Sequence, residues 1–70
     1  MIQSMTARVG SVFSYHDGGG YSGWYDIAVW YKGVRYVKKI EFTRIGKLAD
    51  VPVQDDGVDI EFDTENKEIL

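Results

Sequence analysis

Apolar and polar residues alternate with a period of two through most of the chain, and glycines punctuate the alternation. That period belongs to half-buried strands, not helices. A first strand is expected over about Thr6 to His16. Its inward face would carry Ala7, Val9, Ser11, Phe13 and Tyr15; Arg8, Gly10, Val12, Ser14 and His16 would face outward. A glycine-rich loop, Asp17 to Gly23, reverses the chain. A second strand follows over about Trp24 to Tyr31 and a third over about Val34 to Thr43.

The turn between strands two and three is expected at Lys32-Gly33. This choice pairs Tyr31 with Val34, Val29 with Tyr36, Ile27 with Lys38 and Tyr25 with Ile40. On the other face it pairs Trp30 with Arg35, Ala28 with Val37, Asp26 with Lys39 and Trp24 with Glu41. Asp26 then meets an opposite charge, and Trp30 meets a cation able to sit on its ring. Moving the turn by one residue sets Lys32 against Arg35 and Asp26 against Glu41, two like-charge pairs. The favoured register makes Tyr25, Ile27, Val29, Tyr31, Val34, Tyr36, Ile40 and Phe42 the core face. It turns Trp24 and Trp30 outward, where a second layer or a ligand must cover them.

Beyond Thr43, Ile45 to Asp50 suits one helical turn or a tight corner. Val51-Pro52-Val53 is extended, and Gln54 to Gly57 is a turn. Val58 to Phe62 forms a strand with Asp59, Glu61 and Asp63 outward. Thr64 to Asn66 turns again before a short last strand within Lys67 to Leu70. The expected fold is therefore mostly β: an antiparallel meander of about five strands, closed into a curled sheet or a partly open barrel. SH3-like and OB-like modules share this size and strand number.

Seventy residues make one small domain with a thin core. No cysteine is present, so neither a disulfide nor a thiolate metal site can brace it. Ten aromatic residues are the main supply of buried area. No apolar run approaches a membrane span and no signal peptide is apparent, so the expected location is cytoplasmic.

Charge is divided sharply. Residues 1–47 hold seven cations and three acids, a net +4, whereas residues 48–70 hold one cation and eight acids, a net −7. Two candidate surfaces follow. The acidic one comprises Asp55, Asp56, Asp59, Glu61, Asp63 and Glu65. Asp59, Glu61 and Asp63 project from one strand face about 6.6–7 Å apart, roughly twice the 3.4 Å phosphate repeat of a nucleic-acid strand. The other is a basic–aromatic hairpin with Trp24, Trp30, Arg35 and Lys39, residue types that serve phosphates and bases.

Catalytic, metal and cofactor sites are not expected. His16 is the only histidine, and its neighbour Asp17 points to the opposite strand face. The acids around Asp55 lack calcium-loop spacing. Gly18-Gly19-Gly20 lacks the lysine and hydroxyl of a phosphate loop.

The leading expectation is a non-enzymatic protein-binding module that docks its acidic face on a basic partner. It would act as an inhibitor or steric blocker of the nucleic-acid-mimic type that mobile elements encode. Nucleic-acid binding through the hairpin is the alternative. A homo-oligomeric assembly subunit that buries Trp24 and Trp30 is the third reading.

Overall fold

A computed structural model describes residues 1–70. It contains strands β1 (Ile2–Asp17), β2 (Gly20–Tyr31), β3 (Val34–Ile45), β4 (Gly57–Asp63) and β5 (Glu68–Ile69), with one 3-10 turn over Leu48–Asp50. All pairings are antiparallel, and the sheet order is β3-β2-β1-β4-β5. The five strands form one nearly closed, barrel-like sheet. Closure brings β5 against β3, where the Lys38 ammonium donates to the Ile69 carbonyl at 3.3 Å.

The β2–β3 register is the one that charge pairing favours, from Trp24 opposite Glu41 through Tyr31 opposite Val34. Lys32 and Gly33 make the turn at φ 50° and 79°. Positive φ at both central residues matches the right-handed twist of the flanking strands. Of the outer pairs, Trp30 and Arg35 are opposite each other but form no cation–π contact. Lys39 leans instead over Trp24, 4.9 Å from the ring centroid.

β1 is the spine. Its first half pairs with β4, from Ile2 opposite Asp63 to Arg8 opposite Gly57. Its second half pairs with β2. Between them lies a β-bulge. Val9 faces Ile27 and Val12 faces Tyr25, so Gly10 and Ser11 together oppose Asp26 alone. The Asp26 carboxylate accepts the Ser11 backbone N–H at 3.0 Å. A Cβ at position 10 would overlap that carboxylate and push it off the Ser11 N–H, so glycine allows the close approach.

The bulge exchanges the faces of β1. Ala7 and Val9 are buried, as their spacing predicts. Phe13 and Tyr15, expected inside, are 49% and 51% exposed, and Val12 packs against the core instead. A one-residue insertion in a period of two sends every later side chain to the other face.

Two further expectations change. The long glycine loop is a two-residue turn, Gly18-Gly19, at φ 57° and 92°. Gly20 and Gly23 lie within β2 because backbone crowds them: a Cβ at Gly23 would run into the Phe13 carbonyl. Val34 is 51% exposed, since no other strand reaches over the β2–β3 turn. After Asp50 the chain is irregular until Gly57, and Asp55, not the glycine, takes the left-handed conformation at φ 74°.

A second bulge sits where Ser22 opposes Thr43 and Arg44, with Arg44 at φ 53°. The buried Ser22 hydroxyl accepts the Arg44 N–H at 3.1 Å and donates to Asp17 at 3.4 Å. Both bulges are thus satisfied by the β2 side chain that faces them.

The core is Ala7, Val9, Ile27, Val29, Phe62 and Ile69. Phe62 is wholly buried, with the Tyr31 and Tyr36 rings at 5.0 and 5.2 Å. These contacts tie β4 to β2 and β3 across the barrel. The far ends of β1, β2 and β3 run beyond this core as a three-stranded arm, so the molecule measures 41 × 19 × 14 Å.

Phe62→Ala is expected to cost about 3–5 kcal/mol, a large part of a small domain's stability; urea unfolding checks it. Asp26→Ala should cost about 0.5–1.5 kcal/mol, because the exposed Ser11 N–H loses its carboxylate and turns to water. Gly10→Ala should cost less in the Asp26→Ala background than alone, because the clash it creates is gone.

Candidate binding surface

The outer face of the sheet reads as rows running across the strands. In one row Arg35 on β3 faces Trp30 on β2, and Thr6 on β1 faces Asp59 on β4. Arg8 lies opposite Ala28, which sets Thr6 beside Trp30, and both residues line one shallow groove with Arg8, Arg35 and Asp55. Thr6 is shared with a second groove, lined by Ser4, Asp59 and Glu61. A single surface therefore passes from a cation through an exposed indole and a hydroxyl to two carboxylates. Trp30 is 66% exposed, and Arg35, Asp59 and Glu61 form no ion pair within the chain. Thr6 Oγ1 donates weakly to Asp59 at 3.5 Å.

The acidic residues differ in their surroundings. The Asp55 carboxylate takes both Nη2 and Nε of Arg8, at 2.9 and 3.1 Å. The same loop extends the β1 ladder: Asp55 N–H donates to the Val9 carbonyl, and Val9 N–H donates to the Asp56 carbonyl, each at 2.8 Å. The Asp56 side chain stays exposed. Glu65 lies 3.6 Å from the Met1 amine.

Asp63 caps the β4–β5 turn. It accepts the N–H groups of Glu65 and Asn66 at 2.9 and 3.3 Å and the Asn66 side-chain amide at 2.8 Å. The Asn66 backbone N–H is the main cause of an Asp63 pKa held below its ordinary value. Asp59 and Glu61, with Asp56, are thus the acids left free for a partner.

The basic–aromatic residues share the outer face but divide into two groups. Trp30 and Arg35 flank the grooves at the barrel. Trp24 and Lys39 lie along the arm, where Phe13 stacks on Trp24 at 6.2 Å and 25°, with Tyr15 a further 5.9 Å from Phe13. Thr6, Phe13 and Tyr15 were not candidates from sequence. The lone Gly10 within strand alternation is the one signal that could have found the two rings, because it marks a bulge. His16 rests edge-on against Tyr21 at 5.2 Å. No three histidine or acidic side chains converge to hold a metal ion, and no helix is long and apolar enough to cross a membrane.

No protein-family model, curated protein or solved structure matches the chain.

Asp63 makes acid stability specific. Its lowered folded pKa contributes stability that is complete above the unfolded value of about 3.9 and is lost as pH falls through the folded value. Asp63→Asn keeps the acceptor but not the charge. The wild type should exceed it in urea midpoint at pH 7, and the gap should narrow as pH falls through the folded value. A gap that does not change as the solution is acidified would contradict the capping account.

Proposed function

We propose that the chain is a small non-enzymatic protein-binding module. It docks the acidic outer face of β4 on a basic partner surface, with Trp30 as the apolar anchor beside it. The observation that carries this reading is the continuity of the row Arg35, Trp30, Thr6, Asp59, with Glu61 next to it. An exposed tryptophan next to uncompensated charge is the composition of an interface centre and rim. Asp59 and Glu61 steer a basic partner and fix its register, while the indole supplies desolvated area. A partner surface that ordinarily holds nucleic acid meets these requirements, and occupying it makes the module an inhibitor or steric blocker.

A second reading, nucleic-acid binding through Trp24, Trp30, Arg35 and Lys39, is supported by the position of all four on one outer face. It is weakened by the acids among them: Asp26 and Glu41 on that face, and Asp55 on Arg8.

The test is capture of basic proteins from a source-cell extract by the wild type, by Asp59→Lys/Glu61→Lys and by Trp30→Ala. Both variants should lose at least about tenfold of any specifically retained partner. Retention unchanged in both would refute the proposal. Tryptophan fluorescence with single-stranded oligonucleotides separates the second reading, since quenching that fades with salt supports nucleic acid instead.

A further inference from the structure

The arm presents a second surface that the barrel does not use. On its outer side Tyr15, Phe13 and Trp24 form a continuous aromatic stripe with ring spacings of 5.9 and 6.2 Å. Phe13 and Tyr15 are about half exposed. Trp24 is held by Phe13 on one side and by the Lys39 ammonium over its ring. Rings fixed in this way lose little freedom on being covered. Trp24 and Trp30 are six residues apart on β2, about 20 Å, so this stripe is separate from the anchor at the barrel.

We propose that the stripe is a self-association surface whose occupant is a second copy of the same chain, packed face to face about a two-fold axis. The charges around the stripe select this occupant. Lys39 and Glu41 lie two residues apart on the same face of β3, flanking the aromatic row. An axis lying in the face, crossing the strands midway between them, places Lys39 of each copy over Glu41 of the other. Such an interface is isologous and self-complementary. Asp26 also lies on this face, but its carboxylate is turned to the Ser11 N–H.

The face holds one cation, Lys39, and three acids, Asp17, Asp26 and Glu41, which offers little to a polyanion. The same two-fold arrangement runs the arms antiparallel and sends the two acidic β4 faces to opposite ends of a dimer. Their mutual repulsion is then minimal, and both remain open to a partner. Small chains with thin cores commonly gain stability by association of this kind, and only 8 of 70 residues are buried in the single chain.

The experiment is sedimentation equilibrium from about 5 to about 500 µM, at moderate salt. The wild type should dimerise within that range. Lys39→Glu alone and Glu41→Lys alone should each weaken association at least about tenfold, because each homodimer then sets like charges against each other twice. The two single variants mixed in equal amounts should associate again, since the hetero-pair restores both contacts. The double variant Lys39→Glu/Glu41→Lys should also regain dimerisation. These are surface changes, and circular dichroism confirms that each variant is folded. A strictly monomeric wild type, or single variants that associate like the wild type, would overturn the proposal. So would charge-swapped mixtures that stay monomeric. A monomer whose Trp24 fluorescence responds to oligonucleotides would give the stripe to nucleic acid.

Discussion

The Asp26 carboxylate, bonded to the Ser11 N–H across the β1 bulge, is the contact on which the outer surface of this protein depends. One extra residue in β1 lets the strand serve two partners. Before the bulge, Ala7 and Val9 fill the barrel; after it, Phe13 and Tyr15 turn outward beside Trp24. Without the insertion those two rings would point toward the core side of the arm, and Val12 would leave its place against the core. Gly10 permits the close approach, and Asp26 satisfies the amide that the bulge removes from the ladder. The same logic recurs at Arg44, whose N–H is taken by Ser22. β2, the strand between the two bulged ones, supplies both polar clasps.

The barrel itself rests on few groups. Phe62, placed between Tyr31 and Tyr36, and Ile69, whose carbonyl receives Lys38, bring the C-terminal strands against β2 and β3. The division of charge along the sequence becomes a division in space, but an incomplete one. Arg8 crosses it to hold Asp55, so the basic and acidic regions meet in one surface instead of standing apart. Several acids have structural work: Asp55 docks the loop on β1, Asp63 caps a turn, and Asp26 clasps the bulge. Of the six acids around β4, Glu65 lies by the Met1 amine and only Asp56, Asp59 and Glu61 remain, which is why the proposed docking face is narrower than the acid count implies.

Much of the fold was legible in the sequence where charge and alternation agreed. Asp26 with Lys39 and the Lys32-Gly33 turn set the β2–β3 register, and the alternation of Val58, Ile60 and Phe62 with Asp59, Glu61 and Asp63 gave β4 its two faces. The faces of Phe13 and Tyr15 were not legible, because a bulge breaks a period of two without changing composition. The Gly18 to Gly23 segment misled for a related reason. Two of its glycines serve positive φ in the turn, whereas Gly20 and Gly23 serve close backbone approach inside a strand, and the sequence does not distinguish these uses. The pairing of β1 with β4 across the barrel joins residues 49 to 61 positions apart, and no local pattern carries it. Both candidate surfaces could be named from residue type; their meeting at Thr6 required the strand order.

The bulge is tested most directly by solution NMR of the β1–β2 ladder. Cross-strand NOEs should join Phe13 to Trp24 and Tyr15 to Ser22, and the Ser11 amide should be protected from exchange by its bond to Asp26. An unbulged ladder would instead set Val12 opposite Trp24 and Phe13 opposite Gly23, with an unprotected Ser11 amide. That result would return Phe13 and Tyr15 to the inner face and contradict the arrangement of the whole outer surface.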